Sequence, residues 1–381
     1  MTTRKWFAIA GMAVAALWFA STAHAQVDPA KCRAPVASSE DRIAACTAVI
    51  EAAKGPTEGL AWAYRLRARE YHKMRDFDHA VADYSQVLQL YPRDRYALIC
   101  RGSISFHKWR FDEAIADFGQ AIAVDPNVGA AYVDRAAAYV MKDDFEHAFA
   151  DYARAFALNP NDVHAYLGRG SAQRAIGDID SAIADYDQAI QISPTYKPSY
   201  FQRGNAYAAK GDFGHAIADY DEGIRLDPKD ARAHRTRGLA NLRAGSLSKS
   251  LTDLDQSQSL DPKDAYAALW REIVARRSNV PSLLAEKTAQ LDMNKWPAPV
   301  VRMFLGEITP ESVLAAAEDP DPRVQKGQVC EANLYAGELA LQRGSTEEAT
   351  RLFGLAAADC PTTFIEWSAA KAELKALGIN P

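Results

Sequence analysis

An all-α solenoid of stacked antiparallel helix pairs is the fold class this sequence predicts, and three observations carry it. Proline recurs every 34 residues, at Pro92, Pro126, Pro160, Pro194, Pro228 and Pro262. In the same register small residues (Ala80, Ala114, Ala148, Ala182, Ala216, Ser250) precede by four positions a large one (Tyr84, Phe118, Tyr152, Tyr186, Tyr220, Leu254). Each interval also splits into two helical stretches about a turn, clearest at Gly177-Asp178 and Gly211-Asp212, where glycine ends one helix and aspartate caps the next.

The elements follow in order. In the first helix of each interval, Tyr64, Tyr132, Tyr166 and Tyr200 share one position, and Gly102, Gly170, Gly204 and Gly238 share another where Ala68 and Ala136 also stand. Four residues apart, the two positions lie on one helical face. The small residues of both helices allow close approach, the aromatic fills the space beside them, and proline ends the second helix.

This pattern resembles the tetratricopeptide repeat, whose Trp/Tyr, Gly, Tyr, Ala, Phe/Tyr, Ala, Pro signature matches six units: 61–94, 95–128, 129–162, 163–196, 197–230 and 231–264. The resemblance implies a right-handed superhelix, because single repeats bury too little alone and must stack. Residues 26–60 read as an opening half-repeat, with Cys46 and Ile50 in register. Residues 265–325 read as an irregular helical region. It begins with a helix from Asp264 to Arg277, is broken at Trp296-Pro297-Ala298-Pro299, and has short helices near Pro281–Asp292 and Pro310–Glu318. Gly337, Gly344, Ala349, Phe353 and Pro361 restore the repeat spacing, so 326–381 reads as a further unit with a closing helix near Thr363–Leu377.

The first 25 residues have the order of a secretory signal: Arg4 and Lys5, an apolar run from Trp6 to Ala20, and small residues up to Ala25. A mature chain starting at Gln26 in the periplasm or outside the cell is the expectation, with no stable membrane insertion after cleavage. In that oxidising setting Cys32 with Cys46, and Cys330 with Cys360, are expected to bridge and staple the two ends of the array, while Cys100 is left as a small core residue. A net charge of -5 argues against nucleic acid as the main partner.

Catalytic, metal and cofactor motifs are absent: there is no phosphate-binding loop, dinucleotide turn, serine elbow or paired zinc histidines. His72, His107, His164 and His234 fall in different repeats, and Glu286, Asp292, Glu307 and Glu311 read as a solvated helix surface rather than a hydrolase site. Arginine recurs at 67, 101, 135, 169, 203 and 237, and aspartate at 83, 117, 151, 185, 219 and 253. Equal numbers in one register predict structural Arg–Asp pairs, treated as exposed pairs of about 0.2–1 kcal/mol each, rather than a basic ladder for an acidic ligand.

The family resemblance further implies that the first helices line a concave groove. Its ligand-facing positions here are Trp62, Arg65, Arg69, Tyr96, Ile99, Phe106, Val133, Val140, Met141, Leu167, Arg174, Phe201, Arg235 and Arg243. A groove apolar in the middle and basic at its ends suits a protein or peptide segment with apolar anchors and acidic flanks. The alternative occupants are the chain's own terminal helix or a second copy in a homodimer. Residues Glu331 to Gly337, Ala349 to Phe353, Phe364 to Glu366 and Glu373-Leu374 also resemble the last repeat of NlpI-type periplasmic adaptor lipoproteins, although Ala25-Gln26 replaces their lipid-bearing cysteine. That likeness implies a dimer-forming adaptor that brings cell-wall hydrolases to a protease. The functional expectation is an exported, non-catalytic scaffold or adaptor, with a self-associating envelope or secretion component as the second reading.

Overall fold

Each 34-residue interval forms two helices, because its apolar positions recur at helical spacing on either side of a turn whose backbone is left-handed at one residue, glycine in Gly177, Gly211 and Gly245. The computed structural model describes residues 29–33, 38–53, 58–360 and 364–379. The expected signal segment, Pro361 and the start of the closing helix at Thr363 lie outside the described residues. No strand occurs among the described residues.

Contacts divide the chain into two units, residues 1–125 and 126–381. In the first unit a short helix α1 (Pro29–Arg33) precedes α2 (Ser39–Ala52). The first two helix pairs follow: α3 (Ala61–Lys73) with α4 (Phe77–Leu90), and α5 (Arg95–His107) with α6 (Phe111–Val124). The second unit holds the next four pairs: α7 (Gly129–Val140) with α8 (Phe145–Leu158), α9 (Val163–Ala175) with α10 (Ile179–Ile192), α11 (Lys197–Lys210) with α12 (Phe213–Leu226), and α13 (Ala231–Arg243) with α14 (Leu247–Leu260). Within each unit every second helix also packs on the first helix of the following pair, as α4 does on α5 and α10 on α11.

The close approach inside a pair is visible at Gly204, where an added Cβ would fall 2.7 Å from the Tyr220 ring. That ring is 2% exposed. Aspartates cap both kinds of helix: Asp178 accepts from the Ser181 amide and Asp230 from the Ala233 amide.

The Arg–Asp register forms six bidentate pairs between the two helices of each pair. Arg67 with Asp83, Arg101 with Asp117, Arg135 with Asp151, Arg169 with Asp185, Arg203 with Asp219 and Arg237 with Asp253 bond at 2.5–3.0 Å. One expectation is corrected here. These are not exposed pairs: the aspartates are 4–5% exposed, so removing either partner strands a buried group. Several arginines reach further, to the preceding pair: Arg101 to Ser85, Arg203 to Asp187 and Arg237 to Asp221.

After α14 the 34-residue rule ends. Helix α15 (Ala265–Arg277) keeps the arginine at Arg271, which bonds back to Asp255. The position where an aspartate would answer it is Lys287, and Arg271 donates instead to the Pro281 carbonyl. There follow α16 (Leu284–Lys287), α17 (Ala298–Leu305) and α18 (Pro310–Ala316), then a long hairpin of α19 (Pro322–Gln342) and α20 (Thr346–Asp359), and finally α21 (Ile365–Ala376). The expected break at Trp296-Pro297-Ala298-Pro299 separates the short helices before it from α17, which starts within it at Ala298. Proline there occupies the first helical turn, where no amide is needed.

The α19–α20 hairpin repeats the close approach, with an added Cβ at Gly337 falling 2.6 Å from Phe353. The hairpin begins four residues before the expected unit at 326. Cys330 is bonded to Cys360 within it, and Cys32 to Cys46 in the first unit, whereas Cys100 is free and half-buried. Around these helices lies one continuous core that joins Leu239 and Leu254 to Trp270, Phe304, Tyr335 and Phe353.

Candidate functional site

The side chains expected to face a ligand lie on first helices, except Met141, which directly follows α7, and their exposure depends on what the neighbouring pair places beside them. In the first unit Trp62 is half-buried under the Arg33 guanidinium, 3.9 Å above its ring. Arg65 lies 3.2 Å from Asp94, and Arg69 lies 3.4 Å from Glu70. Glu70 is itself buried and also takes Arg42 and Lys73. Hydrogen bonds from these groups hold its carboxyl down at about 2 against the desolvation that would raise it. Tyr96 is 43% exposed, and Ile99 and Phe106 are half-buried, Phe106 edge-on to Phe111.

In the second unit Met141 is 43% exposed, while Val140, Leu167 and Arg174 are half-buried. Small residues at the same positions, Ala137, Ser171 and Ala208, leave this face shallow. Val133 is nearly closed at 9%. Phe201 stacks on Tyr220 and covers Gly223, where an added Cβ would meet its ring at 2.5 Å. Phe201 is therefore a packing residue as much as a surface one.

The sixth pair differs. Arg235 is bound to Asp264. Arg243 donates to the Ser368 hydroxyl at 3.1 Å and to the Ile365 carbonyl at 3.3 Å, and burial pulls it below its ordinary value. Helix α21 thus covers the last first-helix face of the second unit, and the expected basic end at Arg235 and Arg243 is turned inward to the chain itself.

Beneath that cover sits a polar cluster that belongs to no repeat motif. Glu331 accepts from the Trp296 indole at 2.7 Å and from the Tyr266 hydroxyl at 3.0 Å. Burial beside Glu366 pushes its carboxyl up to about 7. Glu338 is fully buried and likewise pushed up to about 7, although Arg277 donates to it at 2.6 Å. Arg277 also reaches Glu373 at 2.9 Å. A sequence signal existed: Glu331 with Glu338, and Glu366 with Glu373, are each seven residues apart, two helical turns, in apolar surroundings.

The repeat pattern is recognised independently. Residues 65–131 match the tetratricopeptide repeat family model, and 170–211 and 204–245 match a second model of the same repeat. The chain carries tetratricopeptide repeats. Its repeat architecture is similar to that of a tetratricopeptide repeat protein from Parabacteroides merdae, at 16% identity over 62% of this chain and 92% of that one, with a TM-score of 0.54. It is also similar to PilW, a type IV pilus biogenesis factor, at 17% identity over 55% of this chain and 96% of that one, with a TM-score of 0.50.

What this arrangement offers chemically is contact area and hydrogen bonding. Among the described residues no group of three His, Cys, Asp or Glu side chains is placed to hold a metal ion. The scattered histidines act locally instead. His79, His147 and His215 each bond the aspartate that caps their own helix and stack on a tyrosine, and His234 bonds the Pro228 carbonyl. No helix of the described residues is long and apolar enough to cross a membrane.

Proposed function

We propose that the chain is an exported, non-catalytic scaffold that binds a protein or peptide partner through the first-helix faces of its repeats. The observation that carries the reading is the contrast within each pair. The arginine and aspartate ladders are consumed internally, whereas Met141 is exposed and Val140, Leu167 and Arg174 keep part of their surface open. Partly exposed apolar side chains repeated along one face are the usual mark of a binding surface. In the second unit this surface runs over the third to fifth repeats and stops at the sixth, where α21 lies. Two disulfides support placement outside the cytosol, since such bonds persist in oxidising compartments. A role bringing hydrolases to a protease, and self-association through residues 265–381, belong to the same proposal as its narrower forms.

The test places a photo-crosslinking residue at Met141 or Arg174 in cells, with Arg154 on a second helix as the control. The expected result is one partner attached from Met141 and Arg174 and absent from Arg154. Equal labelling from all three positions would overturn the assignment of the face, and crosslinks only to a second copy would favour the self-associating component.

A further inference from the structure

Two tyrosines of the second unit pass between the helices of their pairs, and their hydroxyls reach residues of the first-helix face. Glycine opens the route: an added Cβ at Gly170 would fall 2.7 Å from the Tyr186 ring, as one at Gly204 would from Tyr220. The Tyr186 hydroxyl lies 3.3 Å from Ser171 Oγ, and the Tyr220 hydroxyl donates to Asn205 Oδ1 at 2.8 Å. Ser171 and Asn205 stand at equivalent ligand-facing positions, the first half-buried and the second exposed. Each bond spans 15 residues. At that spacing Tyr152 is answered by Ala137, which has no polar side chain, and Leu254 has no hydroxyl, so this polar floor belongs to the fourth and fifth repeats.

Arg174 flanks the floor. It stands five residues after Arg169 and so falls outside the Arg–Asp ladder. Among the described residues no carboxylate pairs with it, and its Nε is buried without a hydrogen-bond partner. Burial raises the Tyr186 hydroxyl above its ordinary value, and Ser171 and the Arg174 guanidinium draw it back. The same guanidinium acts on Tyr220, together with Arg243. Arg243 is taken up by the start of α21, through the Ser368 hydroxyl and the Ile365 carbonyl, whereas the charge of Arg174 meets no carboxylate.

A half-buried guanidinium without an anion is costly, and the groups beside it are able to donate. Asn205 accepts from Tyr220 through Oδ1, which leaves its amide N–H groups free to donate outward, and the Ser171 hydroxyl can do the same. One helical turn before Ser171 and Asn205 stand Leu167 and Phe201, half-buried and on the same faces. We propose that Arg174, with Asn205 and Ser171, seats a side-chain carboxylate of a partner protein, an aspartate or glutamate, whose apolar neighbour rests on Leu167 and Phe201. A carboxylate is an acceptor only and matches such a donor set. A side chain fits better than a chain end, because open surface continues past the site, from Met141 after α7 to Ala209 at the end of α11, and a segment on this face passes over Arg174. The acids of the face stand away from the site: Asp162 caps α9 at its start, about 18 Å along the axis from Arg174, with Asp134 beside it. A phosphate polymer fits less well, since the chain has a net charge of -5 and offers one such guanidinium here. The inference rests on the reading that first-helix faces meet a protein, and it adds the chemical group that is recognised.

The test uses the full chain and rhodamine-labelled 15-residue peptides with amidated C-termini. Each carries one Leu or Phe and, one to four positions away, one Glu; matched peptides carry Gln in its place. Read by fluorescence anisotropy, a Glu peptide should bind and its Gln counterpart should be about tenfold or more weaker, as for a lost hydrogen bond to a charged group. Arg174→Gln should bring the two within about twofold of each other at an unchanged melting temperature, because no ion pair of the fold is lost, and Arg174→Lys should keep part of the preference. Asn205→Asp, at an exposed position that still accepts from Tyr220, should weaken the Glu peptide about tenfold and leave the Gln peptide unchanged.

Equal binding of Glu and Gln peptides, a preference that survives both Arg174→Gln and Asn205→Asp, or binding only by peptides with a free C-terminal carboxylate would overturn the proposal while leaving the face reading intact. A lowered melting temperature in Arg174→Gln, with the Glu preference intact in Asn205→Asp, would assign the guanidinium to the fold and overturn it too. So would a single-stranded DNA 20-mer whose binding is lost in Arg174→Gln. No binding of any peptide also overturns it, whereas the face reading itself falls with equal crosslinking from Met141, Arg174 and Arg154.

Discussion

The repeats and the C-terminal helices of the second unit solve the same problem, burying charged groups between helices, in opposite ways. In the repeats each buried aspartate meets an arginine 16 residues away through two parallel hydrogen bonds, and the ratio is one to one. In the C-terminal helices Glu331 is met by Trp296 and Tyr266 from 35 and 65 residues away, Glu338 by Arg277 from 61, and Glu373 by the same arginine from still further along the chain, with Arg243 reaching α21 across 125. Acid exceeds base there, and the surplus is met by protonation near neutrality. The difference teaches that a repeat can match charges one to one with a near neighbour, whereas a one-off junction assembles its polar groups from distant segments.

Arg277→Met breaks this comparison most severely. It leaves Glu338 and Glu373 without their cation, and a loss of about 3–5 kcal/mol is expected from urea unfolding. Cys330→Ala/Cys360→Ala should cost about 3.5 kcal/mol, against about 3 kcal/mol for Cys32→Ala/Cys46→Ala, because the first bridge closes 30 residues and the second 14. Differential scanning calorimetry with and without reductant measures both.

The acid surplus sharpens the contrast through pH. A carboxyl group whose folded value lies near 7, above its unfolded value near 4.5, favours the folded state fully below 4.5, and the advantage is lost as pH rises through 7. The C-terminal helices should therefore lose on the order of 2–3 kcal/mol between pH 4.5 and 8, seen as a falling urea midpoint. Glu331→Gln, which still accepts from Trp296 and Tyr266, should flatten part of that slope. If the midpoint instead rises with pH, the burial of neutral glutamate is wrong. The smallest effect belongs to the ladder: Asp185→Asn should cost about 1–2 kcal/mol, because Arg169 stays one-third open to water. A loss equal to that of Arg277→Met would erase the distinction between the two regions.

From the sequence alone came the helix pairs, the Arg–Asp pairing and the two cysteine pairs. Those features repeat at fixed spacing or sit beside the array's ends, and each contact joins residues close along the chain. Periodicity encodes them six times over. The helix α17, the position of α21 over Arg243, and the glutamate cluster were decided only by the tertiary structure. Each is a single event without register, in which burial depends on which distant helix arrives to exclude water; the seven-residue spacing of the glutamates marks a helical face but not the helix that covers it.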